Sequence, residues 1–328
     1  MKLKITTFNC ENLFGRYRFL DKPFSSPPSG FEKLLQIPSV VAFEPGRSGK
    51  IKPAPIAEKQ RVTTGKAILG AAPDILAVQE VENLSTLRIF NHKFMDDFFD
   101  RVILLDGNDA RGIDVGLLLR RDLKVDVLEI RTHADDALAG GFLPTSTRLD
   151  TKNVGKAIFS RDCLEVDLRA NGRTLTFLVN HFKAQDGKPA STTRRLNQAK
   201  KVLALAKTAR AAGKLPIVIG DLNIDTAQTD YDQSLDPLVS APSPLADPFQ
   251  GLAPTDRWTH FFSSKKSVSR LDYILLDQSL AGAVSALDIF RRGLSPKATQ
   301  FTGPRLPSMN GNDLEASDHC PTSVVLQV

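Results

Sequence analysis

Cysteine is scarce in this 328-residue chain: Cys10, Cys163 and Cys320 are its three, odd in number and far apart. That argues against a disulfide framework and against a cysteine-rich zinc site. Long apolar runs are missing too. No stretch approaches the roughly 18 uninterrupted apolar residues of a membrane-spanning helix, so no span is expected. The opening residues, MKLKITTFNCENLF, lack the apolar segment and small-residue cleavage site of a secretory signal and read directly as a strand, so a cytoplasmic location is expected. Charge of one sign does not dominate, with 43 Lys and Arg against 37 Asp and Glu. The net +6 and pI of 9.2 give a weak bias towards anionic partners such as nucleic acid. Internal repeats and low-complexity tracts are absent. What is present is 41% apolar residues, enough for a substantial core. Length alone favours about two domains.

Short apolar runs rich in β-branched residues recur along the whole chain at Leu3 to Phe8, Ile75 to Val78, Val115 to Leu119, Thr174 to Val179, Leu215 to Ile219, Leu271 to Leu276 and Ser323 to Val328. Their brevity and polar or Gly/Pro boundaries mark them as strands. Helical spacing is clearest at Ala57 to Ala71 and at Thr192 to Ala212, where Leu196, Ala199, Val202, Leu203 and Ala206 repeat at three and four residues. Gly213 stops the second helix, and Arg194, Arg195, Lys200, Lys201, Lys207 and Arg210 are expected to form its solvated face. Residues 22 to 56 are proline-rich and aperiodic and read as an inserted loop. Pro237 to Pro254 and Ser295 to Ala316 are irregular in the same way, and such loops often rim a site.

The informative pattern is polar residues at the ends of apolar strands, where a side chain can face a shared cleft. Five regions show it: Phe8-Asn9-Cys10-Glu11-Asn12, Val78-Gln79-Glu80-Val81-Glu82, Val179-Asn180-His181-Phe182-Lys183, Ile219-Gly220-Asp221-Leu222-Asn223, and Arg270-Leu271-Asp272 with Ser317-Asp318-His319-Cys320-Pro321. Carboxylates and carboxamides without thiols are hard oxygen donors, suited to Mg²⁺, Mn²⁺ or Ca²⁺ rather than zinc. A histidine beside such a cation can move protons or hold phosphate oxygens, a combination that suits phosphate-ester hydrolysis. Singly, each residue has an ordinary explanation. Asn9 and Asn223 are common turn residues, His181 a satisfied structural histidine, Glu11 and Glu82 surface carboxylates, and Cys10 and Cys320 small apolar packing groups. Their joint occurrence in one order overrides those explanations.

The pieces FNCENL, DILAVQEVEN, ARGIDVGLLL, LVNHFKA, IVIGDLN, SRLDYIL and SDHCP, in that order from Thr7 to Pro321, resemble the endonuclease/exonuclease/phosphatase superfamily, the deoxyribonuclease I-like group. The resemblance implies a four-layer α/β/β/α sandwich, two packed mixed β-sheets flanked by helices with the site at one edge. It also implies one domain over residues 1 to 328 with an insertion at about 22 to 56. Carried over by position, Asn9 and Glu80 resemble the metal-site pair, with Glu80 the principal ligand, and Asp318 resembles the late acidic residue that orders a metal or its waters. Asp221 and Asn223 resemble the residues that activate water and hold phosphate. His319 resembles the catalytic histidine, Asp272 the carboxylate that orients it, and His181 the additional histidine on the leaving-group side. Arg111 and Lys183 are expected to contact phosphate, Arg111 by a bidentate fork. Glu11 stands where some branches carry a metal-assisting aspartate.

The resemblance thus implies a Mg²⁺-dependent phosphodiesterase, with Mn²⁺ or Ca²⁺ as substitutes. Net positive charge and the pairing of ARGIDVG with VNHFKA favour a nuclease with nucleic acid as partner. The rival is a phosphomonoesterase or lipid or small-molecule phosphodiesterase on the same scaffold. A binding module that has lost its site is disfavoured because no motif residue is missing, and the apurinic-site repair branch because position 181 is His. Neither DNA versus RNA nor oligomeric state is legible.

Overall fold

The structure, a computed structural model, describes residues 1–13, 18–19, 51–52, 58–109, 111–143, 155–307, 309 and 314–328. In chain order the main elements are β1 (Lys2–Leu13), α1 (Glu58–Ala71), β2 (Ile75–Val81), α2 (Leu84–Met95), β3 (Phe99–Leu104), β4 (Asp114–Arg120), β5 (Asp126–Arg131), β6 (Cys163–Ala170) and β7 (Arg173–His181). There follow α3 (Pro189–Ala211), β8 (Leu215–Asp221), β9 (Leu245–Ala246), β10 (His260–Phe262), β11 (Ser267–Ser269), β12 (Asp272–Asp277), β13 (Val284–Ile289) and β14 (Thr322–Gln327). One six-stranded sheet has the order β13-β14-β1-β2-β4-β3 and the other β9-β12-β8-β7-β6-β5. Both are mixed: β1 runs parallel to β2 and β8 parallel to β7, and the other neighbouring pairs are antiparallel. Apart from the two-residue strand Ile51–Lys52, which pairs with Arg18–Phe19, the expected insertion at 22 to 56 lies outside the described residues.

Period-two alternation sorts the apolar side chains into layers. Leu3, Ile5, Ile75, Ala77, Leu117 and Leu119 from one sheet meet Val166, Phe177, Val179, Ile217, Ile219 and Ile274 from the other in a central core. The alternate residues point outward. Phe8, Leu76, Val78 and Leu118 are covered by Ala67 and Ile68 of α1 and by Leu87 and Phe90 of α2. On the opposite side Leu178, Val218, Tyr273 and Leu275 are covered by Ala199, Val202 and Ala206 of α3. The result is the expected α/β/β/α sandwich. Inner strands buried on both faces explain why the sequence shows them as continuous apolar runs.

Strands β3, β5, β6, β9, β10, β11 and β13 and helix α2 are additions to the sequence reading. In β6 the pattern is a strict alternation, Leu164, Val166 and Leu168 inward against Glu165, Asp167 and Arg169, so no apolar run announces it. Helix α2 is started by Asn83, whose side chain accepts a hydrogen bond from Thr86 N at 2.9 Å. The expected solvated face of α3 needs correction at three residues, the first being half-buried Arg194, which donates to the carbonyls of Gly155 and Ala157 at 3.1 and 2.8 Å. Arg195 is 2% exposed, donates to the carbonyls of Lys183 and Ala184 at 3.1 and 3.0 Å, and pairs with Asp232. Lys201 reaches Asp136 at 3.0 Å. The long fork of Arg195 thus ties α3 to the loop that leaves β7. The irregular stretch at 237 to 254 holds a one-turn helix, Asp236–Val239, and β9. Cys10, Cys163 and Cys320 are buried and unpaired, as small packing residues.

The ends of the chain lie side by side. In the antiparallel pairing of β1 with β14, Lys2 faces Gln327, the amino group of Met1 donates to Val328 O, and Val328 N donates to Met1 O at 2.8 Å. At Gly220 the backbone of β8 passes so close to β7 that a Cβ would lie 1.9 Å from Asn180 O, at a φ of 137°. Glycine is required there. Among the described residues no helix is long and apolar enough to cross a membrane.

Outside β6, His133 is held between Asp136, 2.9 Å from Nδ1, and Glu165, 2.7 Å from Nε2. Burial works to lower its pKa, but the two carboxylates prevail and raise it to about 9. Because the folded value exceeds the unfolded one, the stabilisation is fully present below about pH 6.5 and is lost as pH rises towards 9. Urea unfolding of wild type and His133→Gln should therefore differ by about 2 to 3 kcal/mol at pH 6, with the gap closing by pH 10.

Candidate active site

The alternation that fills the central core also builds the site. Continuing the inward positions of β7 and β8 one step past their apolar residues gives His181 and Asp221, on β1 the same series runs through Thr7 to Asn9, and the first inward position of β12 is Asp272. Strand register aligns them: Asp221 faces His181 in the parallel pair and Asp272 in the antiparallel one. Asn9 of the first sheet then reaches across the gap, its Nδ2 donating to Asp221 Oδ2 at 3.0 Å.

Asp221 Oδ2 also lies 3.5 Å from His181 Nε2 and 3.9 Å from His319 Nε2, while Oδ1 accepts the Asn223 N–H at 2.9 Å. Burial, together with the nearby Asp272 carboxylate, lifts the Asp221 carboxyl well above the ordinary range, although His319 and Asn9 pull the other way. His319 Nδ1 sits 2.8 Å from Asp272 Oδ2. An imidazole nitrogen facing a carboxylate carries the proton in either charge state, which leaves Nε2 aimed at the cleft. Burial opposes the imidazolium, yet Asp272, Asp318 and Asp221 raise its pKa well above 6.5. Thr259 fixes Asp272 in turn, its hydroxyl donating to Oδ2 at 2.7 Å while accepting the Leu271 and Asp272 N–H groups at 3.1 Å. Burial, with the charges of Arg161, His319 and Arg111, instead pushes His181 well below its ordinary value, so this imidazole is neutral.

Beside this centre is a crowd of carboxylates. Glu80 Oε1 is 3.9 Å from His181 Nε2, and Glu11 Oε2 accepts the Asp318 N–H at 3.2 Å. Burial and the charges of Asp318, Glu315 and Glu80 drive the Glu11 carboxyl well above its usual range. Glu11 and Glu80 both occupy left-handed backbone conformations, with φ of 46° and 59°. Such geometry costs on the order of 1 kcal/mol or more and turns each side chain off its strand direction. Oxygen donors that repel one another at one end of a cleft fit a hard divalent cation. Asn9, Glu80 and Asp318 supply two carboxylates and a carboxamide of this kind.

The structure therefore brings Asn9, Glu80, His181, Asp221, Asp272, Asp318 and His319 to one edge of the sandwich. Asn223, at a φ of 59°, spends its Nδ2 on Phe182 O at 3.1 Å, so its backbone N–H rather than its amide meets Asp221. The Arg111 fork is engaged by Asp109, at 3.0 Å from Nε and 2.8 Å from one terminal nitrogen, and Arg161 backs the same carboxylate at 3.2 Å. Lys183 is half-buried on the loop after β7, 3.5 Å from Asp186. Sequence reasoning missed Thr259 and His260 and gave Ser317 no role of its own. Ser317 Oγ donates to Asn9 O at 2.7 Å and accepts the His319 N–H at 3.0 Å, locking the SDH segment to β1. His260 packs against His319 with ring centres 4.7 Å apart and the planes tilted by 53°. A count of histidines offers a signal, since His181, His260 and His319 are three of only five in the chain.

By its sequence the chain belongs to the Endonuclease/Exonuclease/phosphatase family, whose model matches residues 49–319. Members of this family are phosphoester hydrolases, typically dependent on a divalent metal. No curated protein matches the chain. Among solved structures, D. rerio TDP2 complexed with single strand DNA product aligns over 100% of this chain and 99% of its own, at 15% identity and a TM-score of 0.59. The human Nocturnin catalytic domain with a bound sulfate anion aligns over 99% and 94%, at 15% identity and a TM-score of 0.60. A Bacteroides thetaiotaomicron mannosyl-6-phosphatase aligns over 99% and 100%, at 16% identity and a TM-score of 0.59. At such identities the likeness is one of fold, and it agrees with the two six-stranded mixed sheets seen here.

The Asp272 and His319 pairing has a direct check. In metal-free protein, Asp272→Asn removes the charge that opposes desolvation of the imidazolium, so the His319 titration midpoint should move down. An NMR titration of the ring resonances reads the shift, and an unmoved midpoint would contradict the pairing.

Proposed function

We propose that the protein is a divalent-metal-dependent phosphodiesterase that hydrolyses nucleic acid. The observation that carries the reading is the convergence of Asn9, His181 and His319 on the one buried carboxylate of Asp221. In this reading Asp221, raised in basicity by burial and fixed by Asn9 and by the backbone of Asn223, takes the proton of the attacking water. The imidazolium of His319, steadied by Asp272, donates Nε2–H to a phosphate oxygen on which negative charge builds. The neutral ring of His181 stands on the leaving-group side. Held by Asn9, Glu80 and Asp318, a hard cation, Mg²⁺ or Mn²⁺ or Ca²⁺, would supply charge neutralisation at the phosphate. Arg111, Lys183 and Asn223 would line the path of the flanking phosphates.

A polymer substrate is favoured by the rim. On the β10–β11 hairpin Phe262 is 42% exposed, 6.0 Å from the His260 ring, with Lys265 Nζ 5.3 Å from its own ring centre. An exposed aromatic beside a cation, next to the reacting edge, fits an unpaired base and its phosphate. The phosphomonoesterase reading has one observation behind it, that the mannosyl-6-phosphatase superposes as fully as the DNA-bound TDP2.

Hydrolysis of a single-stranded oligonucleotide should require a hard divalent cation and stop in excess chelator. His319→Ala and Asp221→Asn should each lower turnover about a hundredfold or more, and Asp272→Asn less than His319→Ala. Glu80→Gln should weaken Mn²⁺ binding in a calorimetric titration. The KM for the oligonucleotide should rise with salt, with a log–log slope of about 0.7 per phosphate contacted. A salt-insensitive KM together with faster turnover of p-nitrophenyl phosphate would favour the phosphatase.

A further inference from the structure

We propose that His260, Asp318 and His319 form a second cation site, one that takes zinc in preference to magnesium and closes the hydrolytic centre when filled. Among the described residues these three offer ligand atoms that all lie within 4.8 Å of one another. His260 Nε2 is 3.5 Å from Asp318 Oδ2, and His319 Nε2 is 3.8 Å from Asp318 Oδ1. Donors on a tetrahedral zinc, each about 2.0 to 2.2 Å from the metal, lie roughly 3.3 Å apart, so a small inward turn of the rings completes the set.

The backbone builds this geometry. His260 and His319 form an isolated antiparallel bridge, flanked by Phe261 N to Asp318 O at 2.8 Å and Cys320 N to Thr259 O at 2.7 Å. Directly opposed residues of such a pair project to the same face, which is why the two rings meet. Each histidine also has an outer partner on the nitrogen turned away from the cluster. Asp272 lies 2.8 Å from His319 Nδ1 and Ser269 Oγ 3.2 Å from His260 Nδ1. Metal-binding histidines are oriented in this manner, with the far nitrogen on a carboxylate or hydroxyl and Nε2 free for the ion. Two imidazoles and one carboxylate make a borderline set that favours zinc over magnesium, and three protein ligands leave a fourth position for water.

Filling the site releases the Nε2 proton of His319 to solvent and replaces it with a bond to zinc. It also draws Asp318 away from the cation site that includes Asn9 and Glu80. The inhibition, though not the site itself, rests on the hydrolytic reading above.

The test uses chelator-stripped full-length protein titrated with Co²⁺, followed by its visible absorption, and then with Zn²⁺ in competition and by calorimetry. Wild type is expected to bind one equivalent with the intense absorption of four-coordinate Co²⁺, which Zn²⁺ displaces. His260→Gln should weaken Zn²⁺ binding tenfold or more, whereas Glu80→Gln should leave it unchanged. His260→Cys restores a ligand and should add a sulfur-to-cobalt charge-transfer band, which also guards against a folding artefact in the Gln variant. Unchanged Zn²⁺ affinity in His260→Gln, or absence of that band in folded His260→Cys, would overturn the site. Undiminished Mg²⁺-dependent hydrolysis at saturating Zn²⁺ would overturn the closure. Failure of the hydrolytic reading would show separately, as no turnover with any metal while the cobalt spectrum persists.

Discussion

The hydrogen bond from Asn9 to Asp221 is the constraint around which this end of the molecule is arranged. It crosses from one sheet to the other, and its acceptor is a carboxylate with almost no contact with solvent. A buried carboxylate costs several kcal/mol unless its oxygens are satisfied. The protein offsets part of that cost with a carboxamide from β1, a backbone N–H from the turn after β8, and two imidazoles close by. The apolar layer between the sheets sets their spacing, and the Asn9 contact fixes their relative position where the chemistry is.

The two histidines around Asp221 are in opposite electrostatic conditions although both are buried. His319 has a carboxylate on Nδ1 and is driven towards the charged form. Burial drives the His181 ring towards the neutral form, the positive charges of Arg161, His319 and Arg111 add to that, and its Nδ1 has no hydrogen-bond partner among the described residues. One carboxylate thus sits between an imidazole pushed towards its charged form and one pushed towards its neutral form. Left-handed backbone at Glu11, Glu80 and Asn223 adds strain at three strand exits that all border this cleft.

Much of this was legible in the sequence because the inner strands are covered on both faces, so the runs at Ile75, Thr174 and Leu215 stand out from their surroundings. Their carboxyl ends carried the site, and the alternation rule then placed Asn9, His181 and Asp221 on the inward side. The edge strands were not legible. β5 has Leu128 and Ile130 44% and 43% exposed among charged neighbours, and its inner neighbour β6 was hidden too because it spends every second residue on the charged layer around His133. Arg195 read as a surface charge because helical spacing cannot show that a carbonyl-lined loop lies above it. His260 was invisible for a different reason. Its role arises from a backbone bridge to a residue far along the chain, and no local pattern encodes that pairing.

The pairing of the two chain ends has a topological consequence. β1 enters from the edge remote from the cleft and reaches Asn9 at its far end, while β14 leaves the cleft just after His319 and returns to the starting edge. The two ends therefore meet at the end of the β1–β14 pair away from the reacting groups. Anything joined to Met1 or Val328 emerges on the blind side of the sandwich. A short bridge between those ends, with new ends cut in an exposed turn such as Asn171-Gly172, would give a permuted chain in which every contact of the cleft is preserved.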